Sequence, residues 1–140
     1  MRLAIALLAP LLAAAAEAPH FESAPVFPLD RLHNHSSSIV ELANGDLFAC
    51  WYRGSGERTA DDVRVMAARR PRGAKRWTEP YTLADAPSFP DTNPIVFFDS
   101  KQRLWLVWST ILANRWETAL TRYRIAGGTG WASDPRGTPP

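Results

Sequence analysis

The stretch SSIVELANGDLFACWYRG (37–54) returns as NPIVFFDSKQRLWLVWST (93–110). Ile39-Val40 recurs as Ile95-Val96, and Leu47 and Trp51 recur as Leu104 and Trp108, with the second loop reading one residue longer. VRVMAARR (63–70) has a counterpart in TALTRYRI (118–125), and RRPRGAKRW in YRIAGGTGW, with Arg and Trp seven apart in both. A self-similar period of about 55 residues, made of four short strands, is how a β-propeller blade reads in sequence. A β-sandwich is the competing all-β architecture, since its strands also recur at a spacing of about 8–12 residues. Two four-stranded units cannot close a ring, and the second lacks its outer strand. Residues 17–140 therefore read as the truncated N-terminal part of a longer propeller.

Inside each unit the first two strands form a hairpin. Asn44-Gly45 between two alternating runs is a strong short-range turn signal, and a two-residue type I′ turn fits it. Counting outward pairs Leu42 with Leu47, Val40 with Ala49, Ser38 with Trp51 and Ser36 with Arg53. His35 then faces Gly54 on the other side of the sheet. The middle of this hairpin is apolar on both faces, so both faces are expected to be covered. Only the end away from the turn gathers polar groups, with His33, His35 and three serines on one strand and Arg53 on the next. Further strands are expected at 63–70 and 77–84.

Composition excludes several classes. Of the 140 residues 46% are hydrophobic, enough for a core and too many for a disordered chain. Acidic and basic residues are interspersed at a formal net charge of +2, so no nucleic-acid footprint stands out. The one basic cluster, Arg69, Arg70, Arg72, Lys75 and Arg76, reads as a solvated turn. MRLAIALLAPLLAAAA (1–16) has the positive start, apolar stretch and Ala14-x-Ala16 end of a secretory signal peptide, too short and Ala-rich for a stable membrane anchor. The mature protein is expected to be secreted or periplasmic and to begin at Glu17. A single cysteine cannot make an internal disulfide, and Cys50 between Ala49 and Trp51 reads as a buried hydrophobe.

The hairpin, the segment GSGERTADDV that follows it and the NPIVFF…LWLVW repeat resemble the sialidase-like β-propeller family, also called the BNR, Asp-box or neuraminidase-like family. The resemblance covers most of the mature chain and about two of the roughly six blades such proteins have. The Asp-box turn, S-x-D-x-G-x-x-W, is degenerate here: Arg70, Arg72 and Ala74 stand where Ser, Asp and Gly precede Trp77, and only Gly128 and Trp131 fit in the second copy. The resemblance implies an exported glycosidase of exo-α-sialidase type, with no cofactor, acting on a glycan or acidic sugar. Its active site lies where the inner strands of the blades begin. Such enzymes hold the substrate carboxylate with arginines, use an aspartate as acid/base, and attack with a tyrosine paired to a glutamate. Their later arginines and that Tyr/Glu pair are expected beyond residue 140.

Carried over residue by residue, Arg53 matches a second-strand arginine that can grip a carboxylate bidentately. Asp61 or Asp62 matches the acid/base aspartate, and a general acid needs a raised pKa. His35-Ser36-Ser37 replaces the family's R-I-P motif. His35 is then the candidate anion ligand or acid/base, and Ser36 a substrate-binding hydroxyl. Each has a plain alternative: Arg53 as a surface arginine, Asp61-Asp62 as a turn signal, His33 and His35 as a pocket rim. No third ligand accompanies the histidines, so no metal is expected. Trp51, Trp77, Trp105, Trp108 and Trp131 follow the strands as core residues, whereas Trp116 breaks the pattern and is the candidate to stack on a sugar ring. A polysaccharide lyase or other carbohydrate-active propeller, and a non-catalytic binding or scaffold propeller, are the alternative functions. The oligomeric state is open.

Overall fold

The Asn44-Gly45 turn closes in three residues, not two. In the computed structural model, which describes residues 18–126, the Gly45 N–H donates to the Leu42 carbonyl and the Leu42 N–H to the Asp46 carbonyl, both at 2.8 Å. Gly45 takes the left-handed backbone (φ +83°) and Asn44 does not, which is a type I turn followed by a glycine bulge. The Asn44 amide supports it, accepting from the Asp46 N–H at 3.1 Å and donating to the Asp46 carboxylate at 3.0 Å. The signal sequence read at 1–16, with Gly128 and Trp131, lies outside the described residues.

That extra loop residue slides β1 (His33–Glu41) against β2 (Leu47–Gly54) by one position. Glu41 faces Leu47, Val40 faces Phe48 and Ser38 faces Cys50. With a side-chain period of two, the slip exchanges the two faces of β1. Val40 turns to the core, while Ile39 faces out and is 57% exposed. A second irregularity follows. Ser36 and Ser37 bulge between the pairs His35–Tyr52 and Ser38–Cys50, with Ser36 at φ 52°. The expected Ser36–Arg53 pair is therefore absent. Arg53 faces Asn34, His35 faces Tyr52, and His33 takes the place opposite Gly54.

β3 (Arg64–Arg70) and β4 (Tyr81–Ala84) complete a four-stranded antiparallel meander in the order β1-β2-β3-β4. β4 starts four residues later than the apolar pattern suggests, just after Pro80, which has no N–H to give a ladder. β5 (Asp91–Phe98), β6 (Leu104–Ile111) and β7 (Ala119–Ala126) form a second sheet of the same order, with a short 3-10 turn at Trp116–Thr118 before β7. The β5–β6 turn also has three loop residues: Gln102 N–H bonds Asp99 C=O and takes φ 58°. The apparent extra loop residue of the second copy disappears. Ile95 is equivalent to Ser38, not to Ile39, and the bulge at Asn93-Pro94 repeats the bulge at Ser36-Ser37.

The two sheets pack face to face. Phe48, Cys50, Val65 and Ala67 of the first sheet share one core with Val96, Leu104, Leu106 and Trp108 of the second. β1 and β5 meet where Ser38 Oγ accepts the Val96 N–H at 3.1 Å. Cys50 is fully buried, and burial pushes its thiol up to about 12, as suits a hydrophobe. The other face of the first sheet carries Trp51, Met66 and Ala68, covered by Val26, Phe27 and Trp77, with Phe27 stacked on Trp51 at 5.1 Å. Gly54 abuts the chain at Val63 so closely that a Cβ there would lie 2.6 Å from the Val63 Cα. This approach brings the loop after β2 back onto β3.

Candidate functional site

The start of β1, the end of β2 and the start of β3 lie at one end of the first sheet, as the polar pattern suggested. His33, His35 and Tyr52 share a face there and stack in a row, with centroids 5.5 Å apart at each step. Tyr52 is only 1% exposed, yet its hydroxyl donates to Glu57 Oε1 at 2.9 Å. Burial, then the Glu57 carboxylate, push the phenol well above its ordinary value. A phenol in that state anchors a neighbour; it is not poised as a nucleophile.

The loop between β2 and β3 is pinned at both ends. Ser55 donates its N–H to both Asp62 oxygens at 3.0 Å and its hydroxyl to Oδ1 at 2.8 Å. The Ser55 N–H holds the Asp62 carboxyl below the usual carboxylate range. A general acid needs the opposite shift. Asp61 beside it is exposed. The segment between them and Glu57 carries Arg58 to the neighbouring repeat, where its guanidinium lies 5.8 Å from the ring centroid of Trp116. Trp116 sits in the equivalent loop of the second sheet, between β6 and β7, and is 41% exposed. Thr118 fastens that loop: its Oγ1 accepts the Ala113 N–H at 3.0 Å and donates to the Arg115 carbonyl at 2.7 Å. Two loops far apart in sequence thus meet at one end.

Arg53 and Ser36 sit elsewhere than a hairpin count places them. Arg53 belongs to the opposite face and donates Nε and Nη2 to one oxygen of Asp30, at 2.9 and 2.5 Å. Asp30 comes from the segment before β1, and the Arg53 guanidinium holds its carboxyl low. Ser36 Oγ donates to Asn93 Oδ1 at 2.9 Å, joining the two equivalent bulges. Among the candidates, the structure brings His35 to the row with Tyr52, and Trp116 to the loop that ends in Asp61 and Asp62. Arg53 it turns away. Among the described residues no three His, Cys, Asp or Glu side chains gather as metal ligands.

The residue that a sequence reading passes over is Asp91. It has no accessible surface, and its Oδ1 accepts from Trp108 Nε1 at 2.9 Å and from the Thr110 hydroxyl, while Oδ2 accepts the Ala86 N–H at 2.6 Å. Desolvation raises its pKa against those three bonds. In the first repeat the equivalent position is Asn34, whose Oδ1 accepts from Trp51 Nε1 at 3.0 Å. Aligned on the turns, the two repeats place Asp91 over Asn34 and Trp108 over Trp51; that alignment was the available signal.

A family model described as the BNR repeat-like domain matches residues 45–136, from the first turn through β2–β7, with β1 before it. No curated protein matches the chain.

Proposed function

The chain belongs to the BNR repeat-like domain family, and from that premise we propose that it is an exported, sialidase-like glycoside hydrolase of exo-α-sialidase type, acting on extracellular or periplasmic glycans. One observation carries the reading. The loops that follow the second strand of each repeat converge, through Arg58 and Trp116, at the end that also holds His35, Glu57 and Asp61. An aromatic ring at the same end of the sheets as carboxylates and an imidazole offers a sugar a face to stack on and groups to bind or move protons.

Within this reading the proton-transfer role falls to Asp61 by elimination, as the carboxylate of the pair that is exposed and not bonded to Ser55. Asp62 is ionised and committed to Ser55, so its part is to hold the loop. Asp61→Asn should lower kcat on an aryl α-sialoside by about 10²–10⁴ with KM little changed. Asp62→Asn should mainly raise KM, through a loosened loop. Full activity in Asp61→Asn would take that residue out of the mechanism. A wild type that binds sialosides without cleaving them would favour a glycan-binding propeller, a reading to which the engaged carboxylates of Asp62 and Glu57 lend support.

Export is part of the proposal. N-terminal sequencing of the protein recovered from periplasm or medium should begin at Glu17, after Ala14-x-Ala16. A cell-retained protein that keeps Met1 would refute the secreted assignment.

A further inference from the structure

We infer that the turn between β3 and β4 is a separate binding site for the sulfate or phosphate esters of a polysaccharide, at the opposite end of the first sheet from His35. The inference does not rest on the glycosidase reading. In sequence Arg69, Arg70, Arg72, Lys75 and Arg76 read as a solvated turn. Folded, Arg70, Arg72 and Lys75 line one hollow of about 520 Å³ together with Gly45 and Leu47, which is room for a sugar residue and not only for a lone ion. The counterpart segment of the second repeat, AGGTGW (126–131), carries no basic residue, so the repeat itself does not require them.

The turn is preformed. The Ala74 N–H bonds the Pro71 carbonyl at 2.9 Å and Gly73 takes φ +77°, a type II turn. At its base the Thr78 N–H bonds the Arg69 carbonyl at 2.7 Å, and the Arg69 N–H bonds Thr78 Oγ1 at 3.0 Å. Arg72 lies across the first hairpin: its N–H bonds Asp46 at 2.8 Å, and its Cδ is 2.7 Å from where a Cβ on Gly45 would stand. The Arg70 guanidinium lies 5.6 Å from the Trp77 ring centroid, an arrangement that uses its face and leaves its N–H edges for an acceptor.

The nearby acids do not neutralise the group. Asp46 pairs with Arg69 at 3.7 Å. Glu22 on the rim of the hollow has His20 at 3.5 Å, Glu41 lies two strands from Arg70 across Leu47, and Glu79 lines a separate hollow beside Trp51 and Arg53. Arg70, Arg72, Lys75 and Arg76 form no ion pair among the described residues, and guanidinium forks suit tetrahedral oxyanions. The turn exposes no large apolar side chain for a membrane or a protein interface, and no ring for base stacking. Contact by charge alone suits a hydrated polymer.

The test is binding of the whole chain to immobilised dextran sulfate and phosphorylated mannan, with plain dextran as the neutral control, read by surface plasmon resonance over a salt series. The wild type should bind at least one ester and not dextran, and the polymer it prefers identifies the ester. Arg72→Gln with Lys75→Gln should weaken that binding at least about ten-fold and flatten its salt dependence, because fewer counterions are released. Arg31→Gln with Arg122→Gln removes the same charge from exposed positions elsewhere and should change it little. Both Arg72 and Lys75 are exposed, and Arg72 holds Asp46 through its backbone N–H, so unchanged urea midpoints are expected. Lys75→Gln alone, a side chain with no ion pair, should weaken binding in the same direction and carries the test independently of Arg72. No binding to either ester, full binding by the Arg72/Lys75 variant, or an equal loss in both double variants would overturn the inference. So would tighter binding of double-stranded DNA or of phosphatidylserine vesicles than of either polymer.

Discussion

Asp91→Ala is expected to lose on the order of 3 kcal/mol of stability, a large share of what holds a small domain folded. Truncation leaves the Trp108 indole N–H, the Thr110 hydroxyl and the Ala86 N–H buried without an acceptor, and each orphaned donor costs about 1–3 kcal/mol before relaxation. The site also ties parts of the chain together. Asp91 donates its own N–H to the Val63 carbonyl at 2.9 Å, so the chain entering β3 of the first sheet is tied to the same residue. Asp91→Asn should be nearly as damaging, because one carboxylate oxygen faces the Ala86 N–H, where an amide NH2 would oppose it. Asn34 escapes that conflict: its NH2 finds acceptors in Asp30 Oδ1 at 3.1 Å and the Leu32 carbonyl at 3.0 Å. The surroundings of each position dictate which of the two residues fits.

The pH dependence has a definite sign. The folded pKa of Asp91 lies above its ordinary 3.8, so between those values the native state binds the proton more tightly than the unfolded chain. Its contribution is fully present below 3.8 and declines as pH rises through the folded value. Urea midpoints for wild type and Asp91→Ala should therefore differ more near pH 4 than at pH 7. A variant within about 0.5 kcal/mol of wild type at both pH values would show that water replaces the carboxylate at no cost.

Strand order, the repeat and the polar end of the hairpin were legible because they rest on period-two patterning and on turn residues, which are local. The register was not. Asn-Gly is compatible with a two-residue turn and with a three-residue turn ending in a glycine bulge, and Asp46 tips the choice by accepting the Arg72 N–H at 2.8 Å, a contact 26 residues distant. Nothing in Ser36-Ser37 announces a bulge either; its reason is the Ser36–Asn93 bond to the next repeat. The same blindness to distant partners applies to Arg53. A lone arginine at a strand end looks available until Asp30, from a segment with no pattern of its own, arrives to pair with it. Site residues were named from position along a strand, while what decides their chemistry is which face they share and with whom.

The second sheet turns an apolar face to solvent, and the 140-residue chain is expected to self-associate through it. Matched by register, Val40, Phe48, Cys50 and Ala67, which bury the first sheet against the second, correspond to Phe97, Trp105, Val107 and Tyr123. In the second sheet no strand covers these positions among the described residues, although the Arg103 guanidinium lies over the Trp105 ring at 5.5 Å: Phe97 is 41% exposed, Tyr123 63%, and Phe97, Trp105 and Tyr123 form a continuous row of rings. A face that repeats a sheet-packing surface is built to be covered by another sheet, and a patch of this kind drives association when left open. Replacing Phe97, Tyr123 and Ile125 together by threonine keeps β-propensity while removing the apolar area. Each large apolar side chain is worth about 1.5–3 kcal/mol when buried, so the triple variant should weaken association more than about a hundred-fold. Sedimentation velocity across a concentration series reads this directly. A wild type that stays monodisperse and monomeric at high concentration, with a sharp cooperative melt, would mean that this face needs no cover, and the equivalence of the two sheets as stacked blades would lose its physical basis.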